Sequence, residues 1–251
     1  MSELMLYEKV VPLNDAAHAG LRVRPPAGFG YAAKTNSVPL LANEFFDAAR
    51  EYPIVFARGT EGPVPAALLG LRDAENLYVG ADGRWDARYI PAFVRRYPFV
   101  PAKSPQGEMI VCIDEASPCF DTKAGEPLFV EGKPSPQLEH AMKFLAEFHH
   151  GVAVTDALGK RVEELGLLRQ ADSVAQLHDG TQFRLAGLSV VDETKLRQLA
   201  PDAVQELFAN GTLGVIYAHL TSLGNLGALV DRLSRREVAA KAGGGAKKPR
   251  A

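Results

Sequence analysis

The spacing of apolar residues changes near the middle of the chain. In the first half they come in short runs punctuated by proline and glycine, whereas in the second they recur at three- and four-residue intervals, the period of an amphipathic helix. The change predicts an α+β protein with a strand-rich N-terminal half and a mainly helical C-terminal half. Tyr7–Leu13 reads as a strand, and Leu40–Glu51 as a helix burying Leu41, Phe45, Phe46 and Ala49. Tyr52–Phe56 and Ala66–Leu71 read as β-segments, Pro53 standing near a strand start where its missing N–H is tolerated. Leu77–Val79 and the stretch from Arg84 flank Gly80-Ala81-Asp82-Gly83, which predicts a hairpin with glycines in its turn. Met109–Ile113 is an apolar run suited to a buried strand, and Pro127–Val130 is a weaker one.

Ser135 followed by Pro136 is the signature of a helix start, and that helix is expected to run to about His149 with Leu138, Ala141, Leu145, Phe148 and Val152 on one face. After Gly151 a second helix, capped by Thr155 and closed near Gly166, would complete a helical hairpin over 135–166. Val174–Leu177 and Gln182–Val191 flank Asp179-Gly180, a preferred tight-turn dipeptide. Asp192 caps a short helix through Leu199, Pro201 begins another that ends at Asn210-Gly211, and Thr212 caps a last one reaching about Arg236.

With 251 residues, 47% hydrophobic and 23% charged, the chain is neither disordered nor fibrous and suffices for one large domain or two small ones. We read residues 1–237 as one domain, a subdivision near 133 left open, and 238–251 as a disordered basic tail. The formal charge of −2 is uneven: Lys241, Lys247, Lys248 and Arg250 contribute +4, which leaves −6 for residues 1–238. An acidic body disfavours nucleic acid as a partner. Cys112 and Cys119 match no redox or zinc spacing and read as free thiols. The N-terminus carries acids where an export signal would place positive charge, so a cytoplasmic location is expected, with surface association after signal-independent secretion as the alternative. Leu207–Val230 lacks formal charge, yet its four glycines and interspersed Asn, Thr, His and Ser suit a packed helix better than a membrane-spanning one.

The densest unusual segment is Asp82–Lys103, where Arg84, Arg88, Arg95, Arg96 and Lys103 interleave with Trp85, Tyr89, Phe93, Tyr97 and Phe99. Guanidinium forks beside flat rings suit carboxylates, phosphates or sugars, and prolines 91, 98 and 101 give the segment loop character. The competing reading makes the aromatics core and leaves the arginines solvated or paired with Asp82 and Asp86. Arg84, Trp85, Arg88, Tyr89, Arg95, Arg96 and Tyr97 are the candidate binding residues. His149 and His150 point about 100° apart on a helix and do not chelate one ion together, so they read as helix-terminus histidines. His219, in an apolar helix, reads as a core histidine rather than a base, and Asp114-Glu115 with Asp121 as a solvated acidic loop rather than a cation site. No nucleophile elbow, zincin, Walker, dinucleotide or kinase motif occurs, so no cofactor and no metal is expected.

Several phrases together resemble the SapC family of bacterial proteins. They include Tyr52-Pro53-Ile54-Val55-Phe56, Asn76-Leu77 leading to Asp82-Gly83-Arg84-Trp85, Tyr89-Ile90-Pro91-Ala92-Phe93-Val94-Arg95-Arg96-Tyr97-Pro98-Phe99, Leu185-Ala186-Gly187-Leu188, Val191-Asp192-Glu193-Thr194-Lys195-Leu196 and Tyr217-Ala218-His219-Leu220-Thr221-Ser222-Leu223. The likeness spans roughly residues 5–233 and excludes the basic tail. It implies a link to bacterial surface-layer machinery and supplies no catalytic residues. The expectation is a non-enzymatic binding or assembly factor whose partner is a cell-envelope glycan, peptide or protein, with homo-oligomerisation left open. An enzyme whose site forms only in three dimensions, near His219 or the His149/His150 corner, is the alternative.

Overall fold

The computed structural model describes residues 5–104, 106–171, 174–176, 182–184 and 187–244. In the first half the strands are β1 (Val10–Pro12), β2 (Arg22–Val23), β3 (Ser37–Pro39), β4 (Ile54–Arg58), β5 (Pro63–Leu68), β6 (Phe99–Lys103), β7 (Met109–Asp114), β8 (Phe120–Asp121), β9 (Glu126–Pro127), β10 (Phe129–Val130) and β11 (Lys133–Pro134). Between them lie the single-turn helices α1 (Asp15–His18), α2 (Phe45–Ala48) and α3 (Ala92–Arg95). The second half holds α4 (Pro136–Glu164), β12 (Leu168–Gln170), β13 (Val174–Gln176), β14 (Gln182–Arg184), β15 (Leu188–Val191), α5 (Glu193–Arg197), α6 (Pro201–Ala209), α7 (Thr212–Ser222) and α8 (Asn225–Gly244). The α+β class and its asymmetry are as expected.

The main sheet is antiparallel with order β12-β15-β4-β5-β3, so it draws strands from both sides of residue 133. Ile54, Val55, Phe56, Ala66, Ala67 and Leu68 are all buried, which explains why β4 and β5 read as apolar runs rather than alternating patterns. A second sheet, β1-β7-β6, and a small one, β8-β2-β9, stand beside α4 and the loop that carries the Arg/aromatic segment. One buried cluster joins the main sheet to α4 and α7, and the other unites Tyr97, Phe99 and Ile113 with Leu138 and Leu145 of α4.

Several local expectations are corrected. Helix α4 is continuous where two helices were expected. Its glycines serve close packing: a Cβ on Gly151 would lie 2.8 Å from Leu41 Cδ1, and one on Gly159 would lie 2.2 Å from the Pro63 carbonyl oxygen. Thr155 is no cap. Its hydroxyl donates to the Gly151 carbonyl (2.7 Å) and accepts the Ala42 N–H (2.8 Å), tying α4 to the turn before α2. The helix expected over 40–51 shrinks to a 3₁₀ turn at Ala42–Glu44 plus α2, and Phe46 is 57% exposed instead of buried. The 77–85 hairpin reduces to one bridge between Val79 and Trp85. The second arm expected after the Asp179-Gly180 turn divides into β14, paired with β13, and β15, which joins the main sheet; the turn itself lies outside the described residues.

Near the C-terminus, Gly211, with φ of 79°, precedes α7 in place of a Thr212 cap, and the long final helix breaks at Leu223-Gly224. Residues Thr212–Lys241 reach the length and apolarity of a membrane span, mean hydropathy 1.4 in the best window, against the expectation from their polar residues. In the fold they are two helices, α7 burying Ile216, His219 and Ser222 and α8 burying Leu229 and Leu233. Helix α8 continues to Gly244, beyond the expected start of the tail at 238, and residues 245–251 lie outside the described residues.

Candidate functional site

Pro91 fixes the entry to α3, and the buried carboxylate of Glu44 anchors it by accepting the Ala92 N–H (2.7 Å). The same carboxylate accepts the Leu41 N–H (2.8 Å) and the Tyr89 hydroxyl (2.6 Å). Burial, reinforced by Glu44, raises the Tyr89 pKa and keeps the phenol a donor. Consecutive residues on a helical turn diverge by about 100°. At the end of α3 this sends Arg95 to solvent and Arg96 into the interior.

Arg96 is 3% exposed. Its guanidinium lies 4.1 Å from the Phe93 ring centre and 4.8 Å from that of Phe148, and its Nε–H donates to the Tyr7 hydroxyl (3.1 Å). Tyr7 in turn donates to the Phe99 carbonyl (3.0 Å), and burial pushes its pKa up to about 12 despite the neighbouring Arg96. Tyr97 stacks on Tyr31 at 3.9 Å and on Tyr7 at 5.8 Å. Arg95 lies 5.3 Å from the Phe144 ring centre and 5.9 Å from that of Tyr89, with its Nε–H on the Ile90 carbonyl (2.9 Å).

These residues border a groove of about 290 Å³ between α3, the start of α4 and the Arg24-Pro25-Pro26 segment that follows β2. Its polar lining is Arg24, Arg95, Arg96, Gln137 and His140, its apolar lining includes Tyr97, Phe99 and Phe144, and no Asp or Glu among the described residues lines it. Asp121 is within electrostatic reach of Arg24 but outside the groove, where it accepts the Lys123 N–H (2.8 Å). A larger hollow of about 720 Å³ lies across the same Arg24–Pro26 strip and shares Tyr97.

The structure thus divides the seven sequence candidates. Arg95, Arg96 and Tyr97 line the groove, and Tyr89 supports Arg95 from below. Arg84, Trp85 and Arg88 do not line it. Arg84 is exposed and pairs loosely with Asp82 (3.4 Å). Trp85 is half-buried, donating its Nε1–H to the Tyr52 hydroxyl (2.8 Å) among Phe29 and Tyr78, and Arg88 is exposed. Asp86 pairs with Arg232 of α8 (2.5 Å), not with a neighbouring arginine. Arg24, Gln137, His140 and Phe144 escaped the sequence reading. A signal existed for three of them: positions 137, 140 and 144 fall on one face of α4 at helical spacing.

The other candidates have structural employment. His219 is 0% exposed, its Nε2 accepts the Val191 N–H (3.0 Å), its ring stands edge-on to Phe56, and no cavity described above reaches it. Burial holds its pKa down at about 4, the Ile54 backbone compensating only in part. With Nε2 accepting the Val191 N–H, the neutral imidazole carries its proton on Nδ1. His149 and His150 stand in the middle of α4 rather than at a helix end and open onto different hollows, one with Lys103 and Asp156, the other with Asn43 and Val154. Asp114 is 1% exposed, not solvated, and accepts the backbone N–H groups of Glu8 (3.2 Å) and Lys9 (2.8 Å), while Glu115 pairs with the Lys9 ammonium (2.6 Å). Among the described residues no cluster of three or more His, Cys, Asp or Glu is arranged to hold a metal. Cys112 and Cys119 are free and buried, and burial raises both thiol pKa values.

The family model described as SapC matches residues 13–229, which includes every element from α1 to α7 and the whole groove. The chain belongs to the SapC family. No curated protein and no solved structure matches it. The SapC match stops within α8 and leaves the basic C-terminal residues outside it.

Proposed function

We propose that this SapC-family chain is a non-enzymatic binding or assembly factor of bacterial surface-layer or cell-envelope machinery, engaging a glycan, peptide or protein partner through the groove beside α3. It works from the cytoplasm, or at the surface after signal-independent secretion. The observation that carries the reading is a concave surface lined by Arg24, Arg95, Arg96 and His140 together with Phe144 and, among the described residues, by no acidic side chain. Such a surface attracts anionic groups and gives them flat apolar neighbours. The acidic body, at −6 before the tail, makes that local cationic surface selective and disfavours nucleic acid. The enzyme reading loses its His219 version, since that imidazole is enclosed and neutral.

A pull-down from native cell extract with the wild type, Arg24→Ala/Arg95→Ala and Arg84→Ala/Arg88→Ala separates the groove from the rest of the Arg/aromatic segment. Partners retained by the wild type and by Arg84→Ala/Arg88→Ala should be lost from the groove variant. Full retention by a folded Arg24→Ala/Arg95→Ala protein would sink the reading.

A further inference from the structure

The groove has features beyond a generic cationic surface, and they bear on what occupies it. Its volume of about 290 Å³ is at the lower bound of small-molecule sites and accommodates one ring and its substituent. One side is cationic: Arg24 and Arg95 are exposed, and no carboxylate forms an ion pair with either among the described residues. Arg95 is held in place by its Nε–H bond to Ile90 and by the Phe144 and Tyr89 rings, so little side-chain freedom remains to be lost on binding. Arg96 adds a buried positive charge behind the floor. The apolar lining comes from the partly exposed Pro26 and Phe144, the latter also bracing Arg95, and from the buried Pro98 and Tyr97. At the rim, Gln137 and His140, on the exposed face of the first turns of α4, offer neutral hydrogen-bonding groups.

We infer that the groove is a binding site for a monosaccharide phosphate: the phosphate sits between Arg24 and Arg95, the sugar ring lies against the apolar wall of Pro26 and Phe144, and its hydroxyls meet Gln137 and His140. The inference rests on the binding reading above and gives its ligand a chemistry. A phosphate monoester carries close to two negative charges at neutral pH and several acceptor oxygens, which matches two guanidinium forks better than a single carboxylate does.

The test is calorimetric titration of the full-length protein with glucose 1-phosphate, glucose, inorganic phosphate and glucuronate. Glucose 1-phosphate should bind at least tenfold more tightly than any of the other three. Arg95→Ala and Arg24→Ala should each weaken it about tenfold, and Arg84→Ala should leave it unchanged. Equal binding of glucose would remove the role of charge, equal binding of free phosphate the role of the wall, and equal binding of glucuronate the preference for phosphate. Any one of these results, or no binding of glucose 1-phosphate at all, overturns the inference. If, after such a failure, Arg24→Ala/Arg95→Ala still loses its partners from extract, only the ligand assignment has failed; if it keeps them, the binding reading fails as well.

Discussion

The groove beside α3 and the pocketless surroundings of His219 were both candidate sites, and they differ in access and in charge. Arg95 stands in solvent with its guanidinium braced by two rings, in a groove shared with Arg24 that no described acidic side chain lines. His219 is enclosed, with its Nε2 on the Val191 N–H and its ring edge-on to Phe56, and is discharged by burial. A residue type with chemical potential becomes a site only where the fold leaves it both charged or reactive and reachable. The same contrast holds between adjacent residues: Arg95 is available to a ligand, while Arg96 is committed to Phe93, Phe148 and Tyr7.

The largest expected effect comes from removing the support of the groove. Glu44→Ala strands two buried donors, the Leu41 and Ala92 N–H groups, and the part-buried Tyr89 hydroxyl, and should cost about 3–4 kcal/mol in urea-unfolding free energy. A loss under about 1 kcal/mol would mean that α3 does not depend on that carboxylate. On the other side of the contrast, His219 is charged in the unfolded chain below its ordinary value of 6.5 but stays neutral in the fold down to about 4. The unfolded state therefore binds more protons in that window, and stability should fall as pH drops from 6.5 to 4, by roughly 3 kcal/mol, then level off. His219→Gln, which keeps an acceptor for Val191, should abolish this component of the pH profile. An unchanged profile would place the titrating group elsewhere.

The two arginines sharpen the comparison further. Arg96→Ala should destabilise by about 2–3 kcal/mol, because it empties a packed site between aromatic rings. Arg95→Ala should change stability by less than about 0.5 kcal/mol while weakening ligand binding. Equal destabilisation by the two would erase the division between them. The smallest effect belongs to Arg84→Ala/Arg88→Ala, which should alter neither the unfolding midpoint nor capture of partners.

Much of the fold was legible in the sequence because it rests on local signals. The Ser135-Pro136 start, Asp192 as a cap, and the apolar runs at β4 and β7 are found where expected, since capping geometry and strand burial depend on near neighbours. Gly151 and Thr155 misled for a physical reason. Their usual meaning is a helix boundary, but here they face Leu41 and the Ala42 N–H across a helix–helix contact more than a hundred residues away in sequence. Asp114 misled likewise: its solvation was replaced by two N–H groups of the N-terminal segment.

By itself, the sequence determined that this is an α+β chain of the SapC type with its arginines and aromatic rings concentrated between residues 82 and 103. Composition, period and motif order carry that much. Only the tertiary structure decided which of those arginines is a surface. That decision depends on α3 turning by one residue between Arg95 and Arg96, and on Arg24 and the first turns of α4 arriving from distant parts of the chain to close the groove. Long-range packing brings these groups together, and no local pattern records it.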